Sequence, residues 1–215
     1  MEKLAKAIAA AIGRNLQKSD EEIAVIAYGL IGILQFLAIL ILALTVGIIF
    51  GFWAEVLTIF FSVGFLRRLT GGAHSRGLYN CLVYSVCFVC GFSALSAFLL
   101  VRLPLYRVIL PSCALIYLFG YVTIALKAPV SPPNKPCRTE QKRRRLRRGS
   151  FLVITVFLVL DALLLLFGAR LHPRLYTVGL SLALSVLWQI FMMTKAGHAL
   201  IFVIDGAFLH RRNGA

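Results

Sequence analysis

Between Ile23 and Ala54 the chain places no Asp, Glu, Lys or Arg, and the stretch from Gly77 to Val101 is likewise uncharged. Runs of this length fit helices of about 20 residues that cross a hydrocarbon core. Over its 215 residues the chain is 60% hydrophobic, with a mean hydropathy of +0.88, far above the apolar share of a soluble domain. These features predict an all-α, polytopic membrane protein forming one integral membrane domain over residues 1–215. About six spans are expected, near 23–44, 50–66, 79–101, 108–126, 151–168 and 175–194. Four spans with some apolar runs lying in the interface is the alternative topology.

The formal net charge is +15. In a soluble protein that would point to nucleic acid; here the basic residues alternate with the spans, so topology explains them better and no nucleic-acid partner is expected. With six spans and an inner N-terminus, the inner segments hold nineteen Lys and Arg and the outer loops hold four, namely Arg102, Arg107, Arg170 and Arg174. This asymmetry places both termini, and the polar stretch after the second span, on the cytoplasmic side of a cell membrane.

Leu4, Ile8, Ile12 and Leu16 recur at steps of four in residues 1–18, predicting an amphipathic helix in the membrane interface. Ser19, Asp20, Glu21 and Glu22 suit the start of the helix that follows. No cleavable signal sequence is expected, since the first apolar run follows a charged, amphipathic segment. Glu55, the only charge between Glu22 and Arg67, is expected near the outer interface. The five cysteines are expected as free thiols, and Cys87 and Cys90, a C-x-x-C inside an apolar helix, as packing residues.

The segment Arg67–Cys81 reads R-R-L-T-G-G-A-H-S-R-G-L-Y-N-C, a glycine-rich polar turn between two apolar runs. It carries His74 and Cys81. A cysteine becomes a nucleophile through a nearby base or a positive field, and histidine is the usual base. One His near one Cys is weak evidence by itself. The pattern Arg67-x-x-x-Gly71-Gly72-x-His74, six residues and then Cys81 resembles the accessory gene regulator protein B family. A second matching block is A-P-V-x-P-x-N-x-P from Ala128 to Pro136, followed by the basic run Lys142–Arg148. Ser75 departs from the pattern, where a small residue such as Ala is expected.

The resemblance implies a membrane-embedded cysteine endopeptidase that processes a quorum-sensing propeptide. The propeptide is cut near its C-terminal tail, leaving an acyl-thioester on the cysteine. An internal Cys or Ser then attacks that thioester to give a cyclic thiolactone or lactone. The resemblance also implies a homodimer; no cofactor or metal is expected. On this reading Cys81 is the nucleophile and His74 the base that activates it, then the acid that protonates the leaving amine.

A continuous helix would hold His74 and Cys81 about 10.5 Å apart along its axis, so the third span is expected to start near Leu78. Cys81 would then lie in its first turn, where the helix dipole and nearby arginines favour a thiolate. Gly71 and Gly72 either supply oxyanion-hole N–H groups or simply permit the turn. Arg67 binds substrate, orients the loop or anchors to lipid phosphate. Asp161 and Asp205 are candidates for a third, orienting residue.

Residues 67–77 are expected as a reactive cytoplasmic loop and 127–149 as a basic one. Lys142, Arg143, Arg144, Arg145, Arg147 and Arg148 would contact anionic lipid and attract an acidic propeptide tail. A small transporter or binding protein is the rival reading; its functional polar groups would sit at mid-membrane, where these spans carry almost no charge.

Overall fold

The computed structural model describes residues 2–73, 77–130 and 139–213. Helix α1 covers Glu2–Asn15 and α2 Asp20–Phe50; α3 is Trp53–Thr70, and α4 is Leu78–Ala94, continued by tighter and wider turns as far as Arg102. Helix α5 is Leu110–Lys127, entered through a wide turn from Leu105; α6 is Glu140–Leu171, α7 Pro173–Met192 and α8 Lys195–Asn213. Among the described residues, five helical segments are long and apolar enough to cross a membrane: α2, α4 with its continuation, α5 with its entry turn, α6 and α7. The protein is an all-α, polytopic membrane protein.

Helix α3 has the length of a span but carries Glu55, Arg67 and Arg68. It runs parallel to α7 at the same depth. Glu55 in its first turn accepts a hydrogen bond from Thr177, and Thr70 in its last turn accepts one from Gln189. The two helices are thus matched end to end.

Ser19 caps α2 through a capping box: its Oγ accepts the Glu22 N–H at 3.4 Å, and the Glu22 carboxylate accepts the Ser19 N–H at 3.1 Å. Further along, Gln35 Nε2 donates to Leu78 O at 3.3 Å and Cys90 Sγ reaches Ala43 O at 3.9 Å, so α2 and α4 are parallel. Residues 20–34 of α2 therefore extend about 22 Å beyond the start of α4. Helix α1 packs on α2 through its small residues Ala5, Ala9 and Gly13, leaving Leu4 and Leu16 exposed. The expected apolar stripe is thus turned away from the protein.

Leu66, Tyr117, Ile124, Ile154, Val186 and Ile190 form a core among α3, α5, α6 and α7. A second core, with Ile39, Ala43, Val56, Ile59 and Val89, joins α2, α3 and α4. Ile41, Phe65, Leu118 and Leu152 stay exposed, as expected of side chains facing lipid. Helix α7 is central, and one line along its buried surface is polar: Thr177, Ser181, Ser185 and Gln189 follow one another at steps of four. Ser181 meets Ser96 at 2.5 Å.

Glu55, expected near the outer interface, lies in the first turn of α3, 2% exposed and enclosed against α7. One expectation changes: within the basic segment 127–149, expected as a loop, Glu140–Arg148 forms the opening turns of α6, with Arg144 pairing to Glu140 at 3.2 Å. Straight-chain Lys, Arg and Gln residues are good helix formers and extend the apolar helix behind them.

Candidate active site

The end of α3 is held by neighbours on both sides. Its backbone closes when the Gly71 N–H donates to Arg67 O at 2.9 Å, while Thr70 Oγ1 donates to Leu66 O at 2.8 Å. The chain then enters left-handed space at Gly71 (φ 71°) and Gly72 (φ 132°). Val130 N–H donates to Thr70 O at 2.8 Å, pairing this turn with the segment after α5. A Cβ on Gly71 would collide with the Val130 carbonyl, and one on Gly72 would lie 3.2 Å from Met192 O. Glycine is therefore required here by both conformation and space.

Gln189, on the last turns of α7, reaches into this turn. Its Nε2 donates to Thr70 Oγ1 at 2.7 Å and to Gly71 O at 2.7 Å. Two residues further, Ala73 N–H donates to Met192 O at 3.0 Å and Ala73 O accepts a hydrogen bond from the Arg67 guanidinium. Arg67 thus orients the turn from within its own helix.

Gly77, in extended conformation, caps α4, and the Cys81 N–H donates to Gly77 O at 2.9 Å, closing the first turn. Cys81 is half-buried, with its Sγ 4.0 Å from Ser85 Oγ. Burial is the largest influence on the Arg67 guanidinium, and the ionisable side chains that act on it are Tyr84 and Cys81. The structure therefore places Arg67, Gly71 and Gly72 at the end of α3 and the thiol in the first turn of α4. His74 lies outside the described residues, as do Ser75 and Arg76.

Helix α8 crosses under this end of the bundle. Asn80 Nδ2 donates to Asp205 Oδ1 at 3.2 Å, and Ile201 packs with Ala73 and Met192. Tyr84, Phe88 and Phe92 follow Cys81 on one face of α4. With Trp188 of α7 and Leu200 and Ile204 of α8 they line an apolar groove of about 630 Å³. The Phe88 and Trp188 rings stack with centroids 4.1 Å apart.

The other expected site residues lie elsewhere. Lys142, Arg143, Arg144, Arg145, Arg147 and Arg148 are all exposed on the first turns of α6. These turns project past the level at which Gly149 meets Leu69 of α3. Asp161 is buried on α6 beside Tyr117 and Cys113 of α5. Of the remaining cysteines, Cys113 is buried, Cys90 faces Ala43 and Cys87 is exposed, while Cys137 lies outside the described residues.

Residues 5–193 match the family model for accessory gene regulator B. The chain belongs to the accessory gene regulator B family. An AgrB-like protein of Clostridium perfringens strain SM101 is 31% identical over 95% of this chain and 96% of its own length. A second, from C. perfringens strain 13, is 30% identical over the same shares. An AgrB-like protein of Halalkalibacterium halodurans is 29% identical over 82% of this chain and 87% of its own. No solved structure matches.

Membership ties the chain to quorum-sensing peptide processing at a membrane. The family match stops before α8, so the Asp205 contact with Asn80 comes from outside the matched residues. Gln189, Thr70 and Asn80 were not singled out by the sequence. The signal for Gln189 was present in the four-residue spacing of Thr177, Ser181, Ser185 and Gln189 within an apolar helix.

Proposed function

We propose that this AgrB-family member is a membrane-embedded cysteine endopeptidase that cuts the C-terminal tail from a quorum-sensing propeptide and retains the acyl part as a thioester. The observation that carries this reading is the place of Cys81. It is half-buried in the first turn of α4, the helix that follows a turn pinned by Gln189 and Met192.

Cys81 attacks the scissile carbonyl as a thiolate, the dipole of α4 favouring negative charge at this end. A C–S bond forms and the carbonyl oxygen takes up the negative charge. A backbone N–H of the Gly71–Gly72 turn stabilises it. His74, having taken the thiol proton, returns it to the leaving amine as the C–N bond breaks, and the tail departs. An internal Cys or Ser of the retained peptide then attacks the thioester, closing a thiolactone or lactone and freeing Cys81. The aromatic groove beyond Tyr84 keeps water scarce, so the thioester survives until ring closure.

Arg67 orients the turn through Ala73 O. The six basic residues opening α6 contact anionic lipid and attract an acidic propeptide tail. The active end faces the cytoplasm, and the protein works as a homodimer. The test is to reconstitute the purified protein in liposomes with a propeptide encoded beside its gene. A released tail, with an acyl group on Cys81 that hydroxylamine removes, is expected. Intact propeptide with an unmodified Cys81 would refute the reading.

A further inference from the structure

Three amides cross the turn from α3, and two of them are committed. Gly71 N–H bonds to Arg67 O and Ala73 N–H to Met192 O, whereas the Gly72 N–H has no partner among the described residues. The Gly71–Gly72 peptide is trans, so its carbonyl and its N–H point to opposite sides. Whatever holds Gly71 O therefore also aims the Gly72 N–H.

Gln189 holds it. Both protons of its carboxamide nitrogen are used, one on Gly71 O and one on Thr70 Oγ1, whose own proton goes to Leu66 O. This fixes which end of the carboxamide faces the turn, since Oε1 could not donate to either acceptor. The opposite end is anomalous: Gln189 is 2% exposed and its Oε1 is buried with no hydrogen-bond partner among the described residues. What the two hydrogen bonds at Nε2 contribute, the desolvated and unpaired oxygen offsets. Stability alone does not account for a carboxamide here.

We propose that Gln189 is a positioning residue for acyl transfer: by gripping Gly71 O it aims and polarises the Gly72 N–H as the donor that receives the oxyanion formed at Cys81. The proposal rests on Cys81 being an acyl-accepting nucleophile, the chemistry of the reading above. Donation to a carbonyl strengthens the N–H of the same peptide unit, because chains of hydrogen bonds polarise one another. The reach of one α7 side chain thus sets the electrophilic side of a site whose nucleophile belongs to α4.

Two reactions of Cys81 separate this role from a merely structural one. Alkylation by iodoacetamide displaces iodide and builds no oxyanion. Acylation by p-nitrophenyl acetate passes through a tetrahedral oxyanion and releases p-nitrophenolate as the thioester forms. Both rates are measured on the full-length protein in nanodiscs, with Cys81→Ala subtracted as background. For Gln189→Met, similar in volume but without donors, acylation is expected to slow at least tenfold; removing a whole oxyanion donor costs about 10²–10³. Alkylation should stay within about twofold of the native protein.

Thr70→Val loses the Gln189–Thr70 bond and the longer 3.3 Å contact of Thr70 Oγ1 with Gly71 O but keeps the 2.7 Å grip of Gln189 on that oxygen; it should change acylation less than about threefold, which provides a second reading if Gln189→Met does not fold. Acylation by Gln189→Met within tenfold of native, a parallel fall in both rates, or a tenfold loss in Thr70→Val would each overturn the proposal. The ester assay needs no propeptide. A protein that acylates as described but leaves the propeptide intact would refute the endopeptidase reading and leave the role of Gln189 standing.

Discussion

Asn80 and Asp205, 125 positions apart in the chain, meet at 3.2 Å immediately beside the proposed nucleophile. Asn80 precedes Cys81 in the first turn of α4, and Asp205, 8% exposed, is on α8. The contact makes the C-terminal helix a strut for the start of α4. Asn80→Ala and Asp205→Ala should each lower propeptide cleavage about fivefold, and the double variant should be little worse than either. Coupling of this kind is typical of contacting residues. Additive losses in the double-mutant cycle would show that the two side chains act separately.

The glycine pair should behave unequally. Gly71→Ala drives a Cβ into the Val130 carbonyl at a positive φ, so loss of cleavage and a marked fall in thermal unfolding temperature in detergent are expected. Gly72→Ala meets Met192 O at 3.2 Å and should destabilise less while still lowering cleavage at least tenfold. Equal melting temperatures for both variants would contradict this steric account.

Charge on α6 should act at a distance. With Arg143, Arg144 and Arg147 all changed to Gln in a correctly inserted protein, cleavage of a propeptide with an acidic tail should weaken most at low salt. It should converge on the native rate near 1 M salt, where the Debye length is about 3 Å. A rate independent of salt in the native protein would leave these residues only their contact with lipid.

Orientation is open to chemical labelling. In a background without other cysteines, Ser75→Cys and Glu140→Cys should resist an impermeant maleimide added to intact cells, and His172→Cys should react. Labelling of Glu140→Cys from outside would reverse the orientation.

The spans and the Gly71–Gly72 turn were legible because both depend on local pattern: uncharged runs in one case, and a Gly-Gly pair between two apolar runs in the other. Gln189 was hidden because its role depends on α7 lying parallel to α3, a relationship carried by contacts 119 and 122 residues apart in sequence. Asn80 acquires its partner only when α8 folds back under the bundle. The basic run was misplaced in a loop because its charge and the prolines before it suggested one. The apolar helix beginning near Gly149 in fact extends backwards through residues with good helix propensity.

The most direct measurement concerns Cys81. Limiting iodoacetamide at mildly acidic pH should alkylate Cys81 before Cys87, Cys90, Cys113 or Cys137, with propeptide cleavage lost in proportion to that single modification. His74→Ala should slow the alkylation, and Cys87→Ser, Cys90→Ser and Cys137→Ser should leave cleavage largely intact. Cys81→Ala should release no tail. If liposomes carrying Cys81→Ala release the tail at the native rate, the thiol at the head of α4 is not the nucleophile and the account is wrong.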